Sequence, residues 1–218
     1  RAFGCALLGG DTDRTSGPLS IGVTLFGTVP SGAMVRRNGA SVGDAVFVTG
    51  TLGDAALGLQ LHLRPQLMDD VLTSGDKGFL CARYLRPAAR VEIASLLRRH
   101  ASGALDISDG LAKDLGRLAA GARARADVSF NHLPLSPPAQ LAIAADPRWT
   151  QAVLAGGDDY EVLFSVPPEE KDALEADASS LPFNITHIGW LRQGSGVCVT
   201  TAAGNEMDLG AKGYDHFS

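Results

Sequence analysis

The chain has little of what usually announces a function. Its three cysteines, Cys5, Cys81 and Cys198, are odd in number, far apart and without a CxxC spacing. That pattern indicates neither a disulfide framework nor a zinc site, and it fits a reducing cytosol. No apolar run reaches the about 18 residues that a membrane-spanning helix requires. Basic charge is scarce: 19 Lys and Arg stand against 24 Asp and Glu, for a net charge of -5. The cations are also scattered, so neither nucleic acid nor an anionic membrane is an expected partner. The five histidines form no HExxH or paired arrangement, no GxSxG supports a serine nucleophile, and no GxxxxGK[ST] cradles a phosphate.

What remains is a core and an unusual use of acid. At 218 residues and 45% hydrophobic, the chain buries a sizeable interior. Three apolar segments run into acidic turns: CALLGGDTD with Asp11 and Asp13, ALDISDG with Asp106 and Asp109, and VLAGGDDYEVLF with Asp158, Asp159 and Glu161.

Periodicity gives a coarse map. Leu19–Val29 alternates apolar and β-branched residues and is expected as a strand, closed by the turn at Pro30, Ser31 and Gly32. CALLGG reads as a strand that should already have neighbours, which suggests that an N-terminal portion precedes it. Ala45–Thr49 is a short buried strand leading to an amphipathic helix from Asp54. Residues 64–80 lack periodicity and carry Pro65, Gly75 and Gly78, so a loop is expected. Pro87 is expected to open a helix with a basic end. A strand at Ala104–Ile107 precedes a helix from about Asp109, and a strand in ADVSFNHL follows. Short helices are expected at Pro137 and from Arg148, then the strand YEVLFSV, a charged helix in PEEKDALEADA, and two late strands in NITHIGWL and GVCVTT. The alternation indicates an α/β fold with a mixed sheet covered by helices. Residues 32–43 are the best linker, giving a remnant of a preceding domain at 1–32 and an α/β domain at 33–218.

The acidic turns admit two readings. Asp109 can cap the following helix and Asp106 can serve a turn. Alternatively, carboxylates that would repel one another are reconciled by a hard divalent cation such as Mg²⁺ carrying substrate phosphates, at the carboxyl end of a strand where α/β sheets bind ligands. The spacing of Asp106 and Asp109 suits neither an aspartyl-nucleophile phosphatase nor a calcium loop.

Taken in order, LLGGDT, VPSGAMVRRNGASVGDAVFVTGTLGDAALGL, YLRPAARVEIA, ALDISDGLAKDLGRLA, LAGGDDYEVLFSVP and KGYDHF resemble the thiamine-monophosphate kinases over nearly the whole chain. These in turn are related to the aminoimidazole ribonucleotide and selenophosphate synthetases. The resemblance covers the C-terminal two-thirds of that family. It implies the C-terminal domain of the aminoimidazole ribonucleotide synthetase-like fold, with part of an N-terminal sheet in front. It also implies a cytoplasmic homodimer, formed when the N-terminal domain is present, that moves the terminal phosphoryl group of ATP to thiamine monophosphate with several Mg²⁺ ions. By position Gly10, Asp11, Arg37 and Ser108 match nucleotide contacts, with Arg36 the alternative to Arg37. Asp11, Asp106 and Asp109 match metal ligands, and Asp158 and Tyr214 match substrate contacts. The family often has glutamate at position 158, and its N-terminal acidic motifs are absent from this chain. Two alternatives stay open: a related synthetase of purine or selenium metabolism, and a binding module that retains a thiamine-phosphate pocket without activity of its own.

Overall fold

The computed structural model describes residues 3–209 and divides the chain into two units, Arg1–Met34 and Val35–Ser218. The first unit carries no regular helix or strand among its described residues. This corrects the expectation of strands at CALLGG and Leu19–Val29. Alternation assigns side chains to two faces, but a ladder needs a second strand to accept its N-H groups. None is offered within this unit, and Leu7, Leu19, Ile21 and Phe26 are exposed.

The second unit is built on one six-stranded sheet. Its strands are β1 (Ala45–Thr49), β2 (Gly103–Asp106), β3 (Arg125–Ser129), β4 (Val162–Val166), β5 (Ile185–Arg192) and β6 (Gly196–Thr200). The spatial order is β2-β4-β1-β5-β3-β6, with β3 and β6 parallel and the other neighbours antiparallel. A mixed sheet covered by helices is the fold class expected from the sequence.

Alternation along β1 divides the core. Val46 and Val48 face helices α4 (Leu111–Gly121) and α6 (Trp149–Ala155), whose Leu111, Leu115, Leu118, Val153 and Leu154 fill that side. Ala45 and Phe47 face the opposite side, where Phe164 joins α3 (Ala94–His100) and α7 (Lys171–Ala178) through Leu96 and Leu174. A third cluster unites α1 (Asp54–Leu63), α2 (Ser74–Leu85) and α5 (Pro137–Ala145) around Leu57, Leu61, Leu80 and Ala142.

Two elements depart from the sequence map. The expected loop at 64–80 contains the start of α2, because Thr73 and Asp76 form a capping box that satisfies the first turn. Gly75 and Gly78 meet no neighbour close enough to forbid a helix there. The helix expected from Pro87 instead begins only after a short 3₁₀ turn at Val91–Ile93, since Arg90 leaves helical geometry while its side chain reaches Glu161. The proposed linker at 32–43 is partly structured: Ala40 is buried, and the Gly43 amide donates to the Leu191 carbonyl.

Phe164 is fully buried on β4 and stacks on Phe47 at 5.6 Å between ring centroids. Phe164→Ala is expected to cost about 3–5 kcal/mol, read as a lower midpoint with unchanged slope in urea unfolding.

Candidate active site

The β2–β4 ladder brings two of the acidic turns together. Asp106 pairs with Val162, and beyond the strand ends the pairing continues through three backbone bonds. The Ile107 amide donates to Glu161, the Tyr160 amide to Ile107, and the Asp158 amide to Ser108, at 2.8, 2.9 and 3.0 Å. Residues 106–109 and 158–161 therefore lie side by side. The close approach requires glycine at position 157, because a Cβ there would stand 2.2 Å from the Ser108 carbonyl oxygen.

On the first turn the sequence reading needs a correction. The helix after it, α4, starts at Leu111 with Gly110 at its N-cap, and Asp109 does not cap it. No side chain caps α4; Asp114, in its first turn, instead holds the turn before the helix, its buried carboxylate accepting the amides of Ser108 and Asp109 at 3.0 and 2.9 Å. Asp109 points elsewhere, to Arg117 at 2.5 Å and Lys113 at 3.1 Å. Burial works to raise its pKa, but these two cations hold the Asp109 carboxyl below the usual carboxylate range. Arg117 also reaches Asp114 at 2.5 Å, whose carboxyl is raised by burial despite these bonds. Asp106 is exposed at the end of its strand.

On the second turn the acids divide by role. Asp158 and Tyr160 take left-handed backbone angles, φ 69° and 49°, and both side chains line a cavity. Between them Asp159 is turned inward. Its carboxylate accepts the amides of Gly53 and Ala55 at 2.7 and 3.1 Å, so it caps α1, whose own N-cap, Gly53, has no side chain to do so. Burial pushes the Asp159 carboxyl up to about 7, and the two amide donors, which favour the anion, offset this only in part. Glu161 is also fully buried, receiving Thr49 at 2.6 Å, Arg83 at 2.6 Å and Arg90 at 2.5 and 2.7 Å.

The cavity holds about 720 Å³ between α1, the end of α2, α6 and the two turns. Ser108, Asp109, Asp158 and Tyr160 line one side, and Tyr84 and Gln60 are among the residues of the other walls. The Tyr160 phenol is raised by burial and then by the carboxylates of Asp158, Asp106 and Asp109. Among the described residues no group of three or more His, Cys, Asp or Glu is arranged to hold a metal ion.

The sequence also singled out Gly10, Asp11, Arg37 and Tyr214. Gly10 and Asp11 are exposed in the first unit, where Asp11 accepts the amide of Thr12. Arg37 and its neighbour Arg36 are exposed in the second unit. The Arg37 carbonyl lies beside Gly121 at the C-terminal end of α4, a helix of about 16 Å away from Asp109. Tyr214 falls outside the described residues.

Sequence reasoning missed Lys113, Asp114 and Arg117, although their spacing from Asp109 places them within one or two turns of α4. It also read Asp159 and Glu161 with Asp158 as one cluster. Their separation rests on the left-handed backbone at Asp158 and Tyr160, which no local pattern announced.

Residues 41–200 match the family described as AIR synthase related protein, C-terminal domain. The chain belongs to that family. It is 39% identical over 215 residues to the thiamine-monophosphate kinase of Salmonella typhimurium, covering 97% of this chain and 63% of that protein. The thiamine-monophosphate kinase structure from Stenotrophomonas maltophilia K279a superimposes with a TM-score of 0.71 at 38% identity, over 78% of this chain and 54% of that one. The structure of AaThiL complexed with AMPPCP and TMP superimposes with a TM-score of 0.67 at 33% identity, over 84% of this chain and 54% of that one. The fold is thus the AIR synthase-like α/β fold, and the chain spans between about half and two thirds of the length of the proteins it matches.

Gly157→Ala should force the two turns apart. A loss of about 1–3 kcal/mol is expected in denaturant titrations, together with weaker ligand binding at the cavity, and an unaltered midpoint would show that the turns need not touch.

Proposed function

We propose that the protein containing this chain transfers the terminal phosphoryl group of ATP to thiamine monophosphate, giving thiamine diphosphate. The observation that carries this reading is the convergence of Ser108, Asp109 and Asp158 on one cavity, with Asp106 at the end of the strand that leads into the same turn. It is joined by the 39% identity to a thiamine-monophosphate kinase and by the likeness to AaThiL, which was seen with AMPPCP and TMP. AMPPCP is an analogue of ATP, so the bound pair corresponds to the two substrates of the reaction.

The chemistry asks little of the protein beyond placement and charge. The attacking group is a phosphate oxygen, largely anionic near neutral pH because its second pKa is about 6, so no side-chain base is needed. Positioning and neutralisation of the phosphates suffice. Asp106 and Asp109 present oxygen donors of the kind Mg²⁺ prefers. Two carboxylates are enough when substrate phosphates and water complete the ion's shell, so the residues present fit it. Bound there, Mg²⁺ would supply neutralisation of the phosphate charge. Lys113 and Arg117 fix the Asp109 carboxylate from one side, and the Asp114 bonds to the Ser108 and Asp109 amides hold the turn. The reading extends to Gly10, Asp11, Ser108 and Arg37 as nucleotide contacts, with Asp11 a further metal ligand. It takes Asp158 and Tyr214 as contacts to thiamine monophosphate. ATP as co-substrate supports a cytoplasmic setting, and the homodimer carries over from the resemblance; no helix of the described residues is long and apolar enough to cross a membrane.

In the full-length protein, Asp109→Asn is expected to lower kcat at least about a hundredfold, the scale of losing one key electrostatic contact. Thiamine diphosphate formation measures this, and near-normal turnover would remove Asp109 from the site. Running the same assay with aminoimidazole precursors and with selenide tests the related synthetases, for which no product is expected.

A further inference from the structure

Lys113 stands at the wrong end of α4. A helix dipole is positive at its N-terminus and disfavours cations there, yet Lys113 lies in the first turn and Arg117 one turn further on, while the last turn, which would welcome a cation, has none. Asp109 accounts for both. The four-residue spacing returns them to it: Asp109 Oδ2 meets Lys113 Nζ at 3.1 Å and Arg117 Nη2 at 2.5 Å. The two cations are therefore placed for this carboxylate and not for the helix.

Arg117 has two grips of unequal permanence. Its Nη1 holds Asp114 Oδ1 at 2.5 Å, and Asp114 is fully buried and also accepts the amides of Ser108 and Asp109, so this end is fixed. Its Nη2 holds Asp109, which is 20% exposed and borders the cavity, while the guanidinium side chain is itself 38% exposed. When Asp109 turns to another cation, Arg117 keeps its bond to Asp114 and water replaces the bond it loses. The exchange leaves no buried charge unpaired, so it escapes the cost that breaking a buried ion pair carries. Asp109 nonetheless cannot serve an arginine, a lysine and a divalent cation at full strength, because the three positive charges repel one another.

Resting on the kinase reading above, we infer that Arg117, aided by Lys113, is a positioning residue that acts as the resident counter-ion of Asp109. It holds the carboxylate in place before the ligand arrives and competes with Mg²⁺ for it, so that the Mg²⁺-bound nucleotide binds less tightly than the acids alone would allow. The competition acts as a filter. A bare ion has only the carboxylates to gain, whereas an ion that arrives on phosphates brings oxygen donors of its own.

Calorimetric titration of the full-length protein with AMPPCP in saturating Mg²⁺ tests this. Arg117→Gln removes the competitor and is expected to bind the complex at least about threefold more tightly than wild type, the scale of a partly exposed ion pair. Lys113→Gln should shift the affinity in the same direction, and Arg117→Lys, which restores the charge, should return it to within about twofold of wild type. A residue needed only for folding would not raise affinity when lost. Unchanged binding by Arg117→Gln overturns the inference. Weaker binding by the folded variant does so too, since the guanidinium would then be holding the phosphates itself. Urea unfolding establishes that the variant folds; if it does not, Lys113→Gln decides, and its failure to tighten binding overturns the inference. Thiamine diphosphate formation by the wild-type protein keeps the two readings apart. Turnover with no gain in Arg117→Gln removes the counter-ion role alone, whereas absence of both AMPPCP binding and turnover removes the kinase reading with it.

Discussion

The antiparallel register between β2 and β4 is the constraint from which the site follows. Strand pairing normally ends with the strands, but here it runs on through Ile107, Ser108, Asp158 and Tyr160, so two acidic turns are laid edge to edge as an extension of the sheet. Register is strict, because a slip of one residue reverses which side chains face in. In the native register Asp159 and Glu161 enter the protein, and Asp158 and Tyr160 face the cavity. The alternative register would bury a phenol and expose the acids that hold the helices.

Those buried acids link the walls of the cavity to the sheet. Asp159 supplies the missing cap of α1, and Glu161 gathers Thr49 from β1, Arg83 from α2 and Arg90 from the segment before α3. Asp54, at the start of α1, is likewise buried, held by Thr51 and Ser136 at 2.5 Å each and lying 3.8 Å from Arg83. Desolvating such ions is costly, and a buried ion pair is weak evidence for net stability. Its effect here is on arrangement: an apolar replacement could fill the same volume but would not fix which face of α2 meets the turn. The strain at Asp158 and Tyr160 persists because this network over-determines the segment between them.

Much of the second unit was legible in the sequence because it rests on local pattern. The runs AVFVT and VLFSV, the helix from Asp54 and the proline-led helix at Pro137 all declare themselves through period, composition and cap. What failed depended on partners. Leu19–Val29 carries strand periodicity, yet periodicity is silent about whether a neighbouring strand exists. The start of α2 was hidden because Gly75 and Gly78 outweighed the Thr73–Asp76 capping box. The pairing of Glu161 with Arg83 and Arg90 spans 78 and 71 positions, beyond any local signal.

The acidic turns illustrate the same division within a few residues. Counted in sequence, Asp106, Asp109, Asp114, Asp158, Asp159 and Glu161 look like one store of negative charge awaiting cations. In the fold, Asp114, Asp159 and Glu161 are already satisfied by backbone amides or guanidinium groups, and Asp109 is partly neutralised by Arg117 and Lys113. On the proposed reading, the charge left to face a ligand is therefore small and directional: Asp106 and Asp109 at the strand end, and Asp158 on the facing turn. A site of this kind has too few carboxylates to cage an ion by itself, but enough to complete the shell of one that arrives with phosphates. A cluster of six bare acids would oppose an anionic substrate, and dividing the acids between structure and ligand removes that conflict.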